Sequence, residues 1–335
     1  MPRQPRIESP GLLCHVIVRG IERRCIFPAA NDYGDFVARM ARLFGQTRTP
    51  CFAWALMPNH IHLLLMMGLT KISKVMQRLL TGYAVNFNIR YQRTGHLFQN
   101  RYKSILCKEE TYFLRLVRYI HLNPVRAGLV RTPQDLASYP WTGHAAVLET
   151  QRNSWQDVNG VLGRFGSNRA TAIAGYERFV LEGWEEPHRD ELEGGGLLRS
   201  LGGVGGALAA ARDNNRQMSD VRVLGDGDFV EEVLRQADIR DQANNGFKAV
   251  SLEMLMQKIA KEFKIDARTI QLKRRERKIS KAKSILIFAA VEWLGKPLKE
   301  IAALTKMSAG CASRAMRRGQ VLAEQLSLAA GFKRQ

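Results

Sequence analysis

The sequence predicts an α+β fold, a small antiparallel sheet with helices on one face, followed by an all-helical C-terminal region. Two observations predict this class. In the first 150 residues, stretches with strand-like apolar patterning alternate with stretches of helical spacing, and beyond about residue 245 the pattern is entirely helical. The chain has 335 residues, enough for two or three domains, and 45% of them are hydrophobic, enough to bury real cores.

The N-terminal elements follow one another in the order β-α-β-β-α-loop-α. The first strand is rich in β-branched residues, and the next two are apolar runs separated by the turn signal Pro58-Asn59. Pro124 disfavours continuation of the last helix through Asn123. The predicted strands are 12–19, 51–57 and 61–67, the predicted helices are 32–44, 71–90 and 109–123, and 94–104 is a basic loop or hairpin.

Charge divides the chain into three parts. Residues 1–150 carry 20 lysines and arginines against 8 acidic residues, residues 151–250 carry 12 against 16, and residues 251–320 carry 17 against 6. Two basic blocks flanking an acidic middle favour two surfaces for a polyanion, with nucleic acid as the expected partner. We therefore predict an N-terminal domain over 1–150, a helical, acidic, Gly-containing connecting region over 151–245 with a linker at 193–206, and a helical domain over 246–335.

Several classes of protein are disfavoured by the composition. No run approaches the roughly 18 uninterrupted apolar residues of a membrane-spanning helix, and no apolar signal-peptide core follows the polar residues 1–10. We therefore expect a cytoplasmic protein with no membrane partner. The five cysteines occur singly, without a CxxC pair, which argues against a zinc ribbon or a disulfide framework and favours buried free thiols.

His60-Ile61-His62 is the first candidate for chemistry. Residues two apart on a strand share a face, so the backbones of the two histidines lie about 7 Å apart and their rings can converge on one ion. Two ordinary half-buried histidines are the alternative interpretation of this short motif.

The helix over 109–123 carries the second candidate. Arg115, Tyr119 and Asn123 are spaced four residues apart and form one polar stripe, while the apolar stripe that includes Leu116 and Ile120 is expected to pack on the sheet. Taken alone, this segment also fits a solvated helix face whose tyrosine packs at an edge.

Several ordered blocks together resemble the HUH single-tyrosine transposases, in particular the REP-associated tyrosine transposases, over roughly residues 5–148. "HUH" denotes two histidines that flank one bulky apolar residue. The matching blocks are Met57-Pro58-Asn59-His60-Ile61-His62-Leu63-Leu64, Gly95-His96-Leu97-Phe98-Gln99-Asn100-Arg101-Tyr102-Lys103, Tyr119-Ile120-His121-Leu122-Asn123-Pro124-Val125, His15-Val16-Ile17-Val18-Arg19-Gly20 and Tyr139-Pro140-Trp141.

The resemblance implies a ferredoxin-like or RRM-like antiparallel sheet and a reaction on DNA. By position, His60 and His62 become metal ligands, Asn123 a third polar ligand and Tyr119 the nucleophile. The implied activity is that of a transposase and single-strand DNA endonuclease, which cleaves and rejoins single-stranded, hairpin or REP-like DNA through a 5′-phosphotyrosine. The implied cofactor is a divalent ion, Mg²⁺ or Mn²⁺.

The residue types suit this chemistry. A hard divalent ion bound by imidazole and amide groups can polarise a phosphate oxygen. Tyrosine, with an ordinary pKa of about 10, is a weak nucleophile near pH 7, and a neighbouring cation such as Arg115 would favour its phenolate. Tyr112 is the runner-up nucleophile. Residues predicted to contact DNA in this domain are Arg19, Arg101, Tyr102, whose ring could stack on an unpaired base, and Lys103.

The segment Pro297–Gly319 has the outline of a helix-turn-helix. Thr305-Lys306-Met307 forms the predicted turn, and Ser308 could cap the second helix. Lys281–Gly319 also resembles the duplex-DNA-binding domain of the bacterial replication initiator. A plain helical bundle with a charged face is the alternative. The predicted contacts to duplex DNA are Arg274, Arg275, Arg314, Arg317 and Arg318.

Two other functions compete with a transposase. One is a non-catalytic DNA-binding regulator that keeps the fold, against which the intact histidines, Tyr119 and Asn123 argue. The other is an RNA-binding protein on an RRM-like sheet, but no aromatic RNP signature is present. The sequence leaves open the DNA target and the oligomeric state, a homodimer included.

Overall fold

The computed structural model describes residues 6–8, 10–68, 70–186, 190–193, 218–248, 251–273, 276–294 and 296–325. The chain divides into two compact units, Met1–Arg235 and Gln236–Gln335. In the described part of the chain, no helix is long and apolar enough to cross a membrane.

The first unit is built on a five-stranded sheet in the order β2-β3-β1-β4-β5. The strands β1 to β4 pair antiparallel in the strand order of a ferredoxin-like sheet, and β5 adds to β4 in parallel. The α+β class is therefore confirmed, with one parallel edge strand added to the antiparallel sheet. The strands are β1 (Leu13–Arg19), β2 (Cys51–Met57), β3 (His60–Met66), β4 (Lys103–Cys107) and β5 (Val223–Leu224).

Backbone hydrogen bonds continue beyond the four antiparallel strands on both sides. At β4, the amide of Leu106 donates to the carbonyl of Arg222, and that of Lys108 donates to Leu224. At β2, Leu56 donates to Trp141, and the amide of Gly143 donates to the carbonyl of Trp54. The four antiparallel strands therefore have backbone partners on both sides, β5 beside β4 and the 141–143 segment beside β2.

Three long helices belong to this sheet: α1 (Ala30–Thr47), α2 (Ile72–Arg90) and α3 (Glu109–His121). α3 ends two residues before the predicted boundary, and a short helix, α4 (Asn123–Arg126), begins with Pro124 in its first turn. The break lies at Leu122, and Asn123 is itself helical, so the predicted interruption at Asn123 is not observed. Pro124 still causes a break nearby, because its ring clashes with the carbonyl of the residue four positions earlier and it has no N–H to donate.

Strand register decides which face each side chain occupies. Ile17, His62 and Ala55 lie opposite one another on three adjacent strands and therefore share a face. α3 contacts β1, β2 and β3 on this face, through a core that contains Leu116 and Ile120.

The opposite face carries Val16, Leu63 and Leu65, all fully buried. Helices α1 and α2 contact each other, and each carries a stripe of buried apolar residues. Side chains on both faces of the central strands are buried, so each face of the sheet needs other residues packed against it.

Residues beyond 150 complete the core against α3. Val161, Leu162, Tyr176 and Val180 belong to the same buried cluster as Leu116. The three-domain division remains a prediction, but helices of the predicted connecting region thus pack within the first unit. The remaining helices of this part are α5 (Pro133–Ser138), α6 (His144–Val147), α7 (Val158–Leu162) and α8 (Arg169–Glu182). A further helix, α9 (Gly227–Lys248), contains the boundary between the two units. Most of the predicted linker, 194–206, lies outside the described residues.

The second unit is helical, as predicted. Its core is formed by residues such as Ile259, Ile285, Leu286 and Ile301. Backbone atoms approach closely at Gly319, where an added Cβ would lie 1.8 Å from the carbonyl oxygen of Ser284. The helices are α10 (Leu252–Phe263), α11 (Ala267–Ile270), α12 (Arg277–Glu292), α13 (Leu298–Leu304) and α14 (Ala309–Gln325).

Candidate functional site

The two histidines of the HxH motif lie side by side on β3. Their ring centroids are 5.1 Å apart and their planes are nearly perpendicular, at 84°. His62 is fully buried and His60 is partly exposed. The structure thus brings together the two predicted metal ligands on the face that α3 covers.

Tyr119 projects from α3 toward this pair. Its ring centroid lies 5.8 Å from that of His62 and 6.2 Å from that of His15, and only 1% of the residue is exposed. The Tyr119 hydroxyl donates a 2.9 Å hydrogen bond to Oε1 of Glu193. The predicted nucleophile and the two predicted ligands therefore form one cluster.

Glu193 lies at the centre of this cluster, and the sequence did not indicate it. It ends a 3₁₀ turn at Asp190–Glu193, and its Oε2 accepts a 2.7 Å hydrogen bond from Nη2 of Arg19. Its backbone carbonyl accepts from Nζ of Lys103, and its Oε1 lies 3.8 Å from Nε2 of His62. The Glu193 carboxylate thus faces the tyrosine hydroxyl, a motif histidine and Arg19, while Lys103 is bound to the backbone carbonyl of the same residue.

His15 is a second unexpected member. It is fully buried, and its Nε2 lies 2.9 Å from Nδ1 of His62 while its Nδ1 lies 3.0 Å from the carbonyl oxygen of Leu192. Burial lowers the pKa of His15 to about 4, so the ring is neutral near pH 7.

His60 has an analogous neighbour in the turn before β3. Its Nδ1 lies 2.6 Å from Oδ1 of Asn59, and Nδ2 of Asn59 donates to the carbonyl of Arg23 at 3.1 Å. Each motif histidine therefore has its Nδ1 engaged by another side chain.

The other two members of the predicted polar stripe, Arg115 and Asn123, contact neighbouring parts of α3. Nδ2 of Asn123 donates to the carbonyl of Tyr119 at 2.9 Å, which closes the end of α3. The Arg115 guanidinium lies over the ring of Tyr112, 5.4 Å from its centroid. The guanidinium over the Tyr119 ring, at 5.2 Å, belongs to Arg126, which also donates to the Tyr119 carbonyl.

A cavity of about 380 Å³ opens beside Glu193. Its cationic lining suits an anionic ligand such as a phosphodiester. Three of the residues predicted to contact DNA, Arg19, Arg101 and Lys103, line this one cavity. The cavity is lined by Ile17, Arg19, Gln99, Asn100, Arg101, Lys103 and Glu193.

Tyr102, the fourth residue predicted to contact DNA in this domain, does not line this cavity. It is 9% exposed, and the Arg6 guanidinium lies 3.9 Å from its ring centroid. One ring face that was expected to receive a base is thus occupied by a side chain of the protein itself.

The donor set fits a divalent ion only in part. Two imidazoles on one face are suitable ligands. Among the residues that the structure describes, however, no group of three or more histidine, cysteine, aspartate or glutamate side chains could hold a metal ion.

The C-terminal candidates belong to the second unit. Arg314, Arg317 and Arg318 are exposed on α14, which follows α13 after a turn containing Lys306 in the left-handed region, with φ at 51°. The amide of Cys311 donates to Oγ of Ser308, as the predicted cap requires. Arg274 and Arg275 lie outside the described residues.

Comparison with known proteins bears on the N-terminal part. Similarity to a solved structure, that of a REP-associated tyrosine transposase bound to a REP hairpin, covers 46% of this chain and 89% of that chain, at 17% identity and a TM-score of 0.38. No curated protein matches the chain. The family model of IS200-like transposases matches residues 9–123, roughly a third of the chain, which contain the HxH motif and Tyr119. Residues 9–123 are therefore similar to the transposase domain of the IS200-like family.

Proposed function

We propose that this protein is a transposase that cleaves and rejoins single-stranded DNA through a 5′-phosphotyrosine on Tyr119. The observation that carries the proposal is the convergence on Glu193 of the Tyr119 hydroxyl, His62, Arg19 and Lys103. A tyrosine oxygen beside imidazoles and cations is an arrangement that can attack an anionic phosphodiester.

The cavity beside Glu193 is the proposed place of the DNA backbone. Arg19, Arg101 and Lys103 line it, and guanidinium groups bind phosphate oxygens well because they offer paired donors. The substrate class, a hairpin-forming or REP-like DNA repeat, is the one that the motif resemblance implies.

In the proposed cleavage step, the Tyr119 oxygen attacks phosphorus and the bond from phosphorus to the 3′ oxygen breaks. The phenolic proton passes to Oε1 of Glu193, 2.9 Å away, and the departing 3′ oxygen takes up a proton to become a hydroxyl. Rejoining reverses the step: a 3′ hydroxyl attacks the phosphotyrosine, and Tyr119 regains its proton.

Two guanidinium groups were candidates for stabilising the charge that develops on the Tyr119 oxygen. Arg115 was the predicted one, but its guanidinium lies over Tyr112. We assign this role to Arg126, because its guanidinium lies over the Tyr119 ring.

A divalent ion, Mg²⁺ or Mn²⁺, is part of the proposal. His60 and His62 would hold it, with Asn123 as the predicted third ligand. Once bound, it would polarise a non-bridging phosphate oxygen. The Asn123 amide already donates to the Tyr119 carbonyl, so its oxygen is the atom that remains for this purpose.

The second unit is proposed to bind duplex DNA. Arg314, Arg317 and Arg318 are exposed on the second helix of the predicted helix-turn-helix, where arginines commonly contact phosphates and base edges.

The test is adduct formation. Hairpin DNA incubated with the full chain and Mn²⁺ should give a covalent complex that survives denaturation, and mass spectrometry should locate the DNA on the Tyr119 peptide. Tyr119→Phe should give no adduct. Tyr112→Phe, which removes a hydroxyl from the same helix, should keep it, and an adduct on Tyr112 would refute the assignment of Tyr119.

A further inference from the structure

The hydrogen bonds of His15 can be arranged in only one way for a neutral ring. The Leu192 carbonyl can only accept, so Nδ1 of His15 must carry the hydrogen of the 3.0 Å bond. Nε2 of His15 is then the acceptor of the 2.9 Å bond to His62. It follows that Nδ1 of His62 carries its hydrogen and that Nε2 of His62 holds a lone pair.

The same reasoning applies to His60. Nδ2 of Asn59 donates to the carbonyl of Arg23, which directs Oδ1 of Asn59 toward His60. This oxygen has no hydrogen to give, so Nδ1 of His60 is the donor of the 2.6 Å bond. Nε2 of His60 therefore also holds a lone pair.

We propose that His15 and Asn59 are positioning residues that fix both motif histidines as Nδ1–H tautomers and so keep both Nε2 atoms ready to bind a divalent cation. Each chain of hydrogen bonds ends on a backbone carbonyl, at Leu192 or Arg23, so the protein backbone itself sets the tautomer. The role of this arrangement in DNA cleavage rests on the proposed function, whereas the assignment of the two tautomers does not.

His15 reaches His62 because of strand register. Ile17 is the residue directly opposite His62, and His15 lies two positions earlier on the same face of β1. The two rings stack with centroids 5.2 Å apart and an angle of 26° between their planes. This diagonal contact between neighbouring strands fixes the orientation of the His62 ring as well as the nitrogen that carries its hydrogen.

The direct test needs no metal and no DNA. Long-range ¹H–¹⁵N correlation spectra of the metal-free full chain, recorded near pH 8, distinguish the two imidazole tautomers. We expect Nδ1–H for both His60 and His62. An Nε2–H tautomer at His62 in the unaltered protein would overturn the proposal for His15, and one at His60 would overturn that for Asn59.

Metal affinity provides the second test. His15→Phe keeps a ring but removes the acceptor, and it should weaken Mn²⁺ binding, measured by titration calorimetry, by about 10–100-fold. His15→Gln offers an amide oxygen to His62 and an amide N–H to Leu192, and it should recover most of the affinity. His144→Phe, a matched loss of a buried imidazole elsewhere, should leave it unchanged.

Asn59→Ala keeps the test decisive if His15→Phe fails to fold, because Asn59 lies in a partly exposed turn. It should weaken Mn²⁺ binding to a similar extent. If Asn59→Ala binds Mn²⁺ as tightly as the unaltered chain does, the proposal for Asn59 is contradicted. Absence of a Tyr119 adduct in the unaltered protein would instead refute the proposed function and leave the tautomer result standing.

Discussion

The Tyr119 hydroxyl donates a 2.9 Å hydrogen bond to Glu193, which follows it by 74 positions in the chain. The family-matched region ends at residue 123, so the carboxylate that contacts the proposed nucleophile comes from outside it. The chemistry of the site therefore depends on the position of residues 190–193 beside the sheet.

Glu193→Gln should slow adduct formation. The glutamine oxygen can still accept the Tyr119 hydrogen bond, but an amide cannot take up the phenolic proton. Loss of a general base typically costs about 100-fold to 10,000-fold in rate. Single-turnover formation of the Tyr119 adduct on hairpin DNA would measure it.

The matched control is Glu149→Gln, which removes an exposed carboxylate that pairs with Arg169 at 2.5 Å outside this cluster. It should react at the rate of the unaltered chain. If Glu193→Gln forms the adduct as fast as the unaltered chain or faster, Glu193 does not accept the proton.

Replacing Arg314, Arg317 and Arg318 together by alanine should weaken duplex DNA binding and its dependence on salt. Each phosphate contact that is lost should lower the slope of log K against log salt concentration by about 0.9. Fluorescence anisotropy between about 50 and 200 mM salt would give this slope. Arg268→Ala, an exposed arginine on α11, should leave the slope unchanged, and an unchanged slope in the triple variant would argue against this surface.

Folding stability should fall as the pH drops below about 6.5. The Nδ1 atoms of His121 and His144 both lie 2.7 Å from the Tyr176 hydroxyl in a buried cluster. Burial lowers the pKa of His144 to about 4 and holds that of His121 well below its ordinary value. The unfolded chain therefore binds protons at higher pH than the folded chain does, and stability is complete above about pH 6.5 and declines toward pH 4.

The expected slope is about 1.4 kcal/mol per pH unit for each such histidine within that range, from linkage. Urea unfolding at several pH values would measure it. His144→Phe should reduce the slope by about one histidine's contribution, while His96→Gln, at an exposed position, should leave it unchanged. A slope that is the same in His144→Phe and the unaltered chain would show that His144 is not responsible.

Gly319→Ala should destabilise the second unit, because the new Cβ would lie 1.8 Å from the Ser284 carbonyl oxygen and force α12 and α14 apart. Overpacking of this kind costs about 1–3 kcal/mol. Gly310→Ala, on the same helix with nothing within 4 Å of the new Cβ, should stabilise it by up to about 1 kcal/mol. Hydrogen exchange of the α12 amides would report both effects, and equal protection in the two variants would contradict the prediction.

The sequence predicted the elements that carry a long repeating pattern and missed those that depend on distant pairing. The strands over 51–57 and 60–66 have continuous apolar runs and were found close to their observed bounds. β4 has only five residues and begins with Lys103, so its pairing with β1 makes it a strand more than its own pattern does. β5 has two residues, too few for any local signal.

The candidate site divides in the same way. Motif spacing identified His60, His62 and Tyr119 as candidates, and the fold places them together. Glu193 could not be found, since nothing in the sequence fixes where residues 190–193 lie. His15 is on a predicted strand, but its contact with His62 depends on the register between two strands.

Arg115 shows the limit of helical spacing as an argument. It shares a stripe with Tyr119, but side chains on a helix lean toward its N-terminus. The guanidinium of Arg115 accordingly lies over Tyr112, three positions earlier. Arg126 lies beyond the break at Pro124 and is the residue whose guanidinium covers Tyr119.

The hydrogen bonds along β2 and β4 bear on how copies of this protein can associate. An outer strand with unpaired amides and carbonyls is a template onto which another polypeptide can add a strand. Here the 141–143 segment bonds to β2 and residues 222–224 bond to β4. A homodimer that paired a strand directly with β2 or β4 would have to displace one of these segments first, and the outer strand β5 has only two residues to offer instead. Self-association through helix surfaces requires less rearrangement.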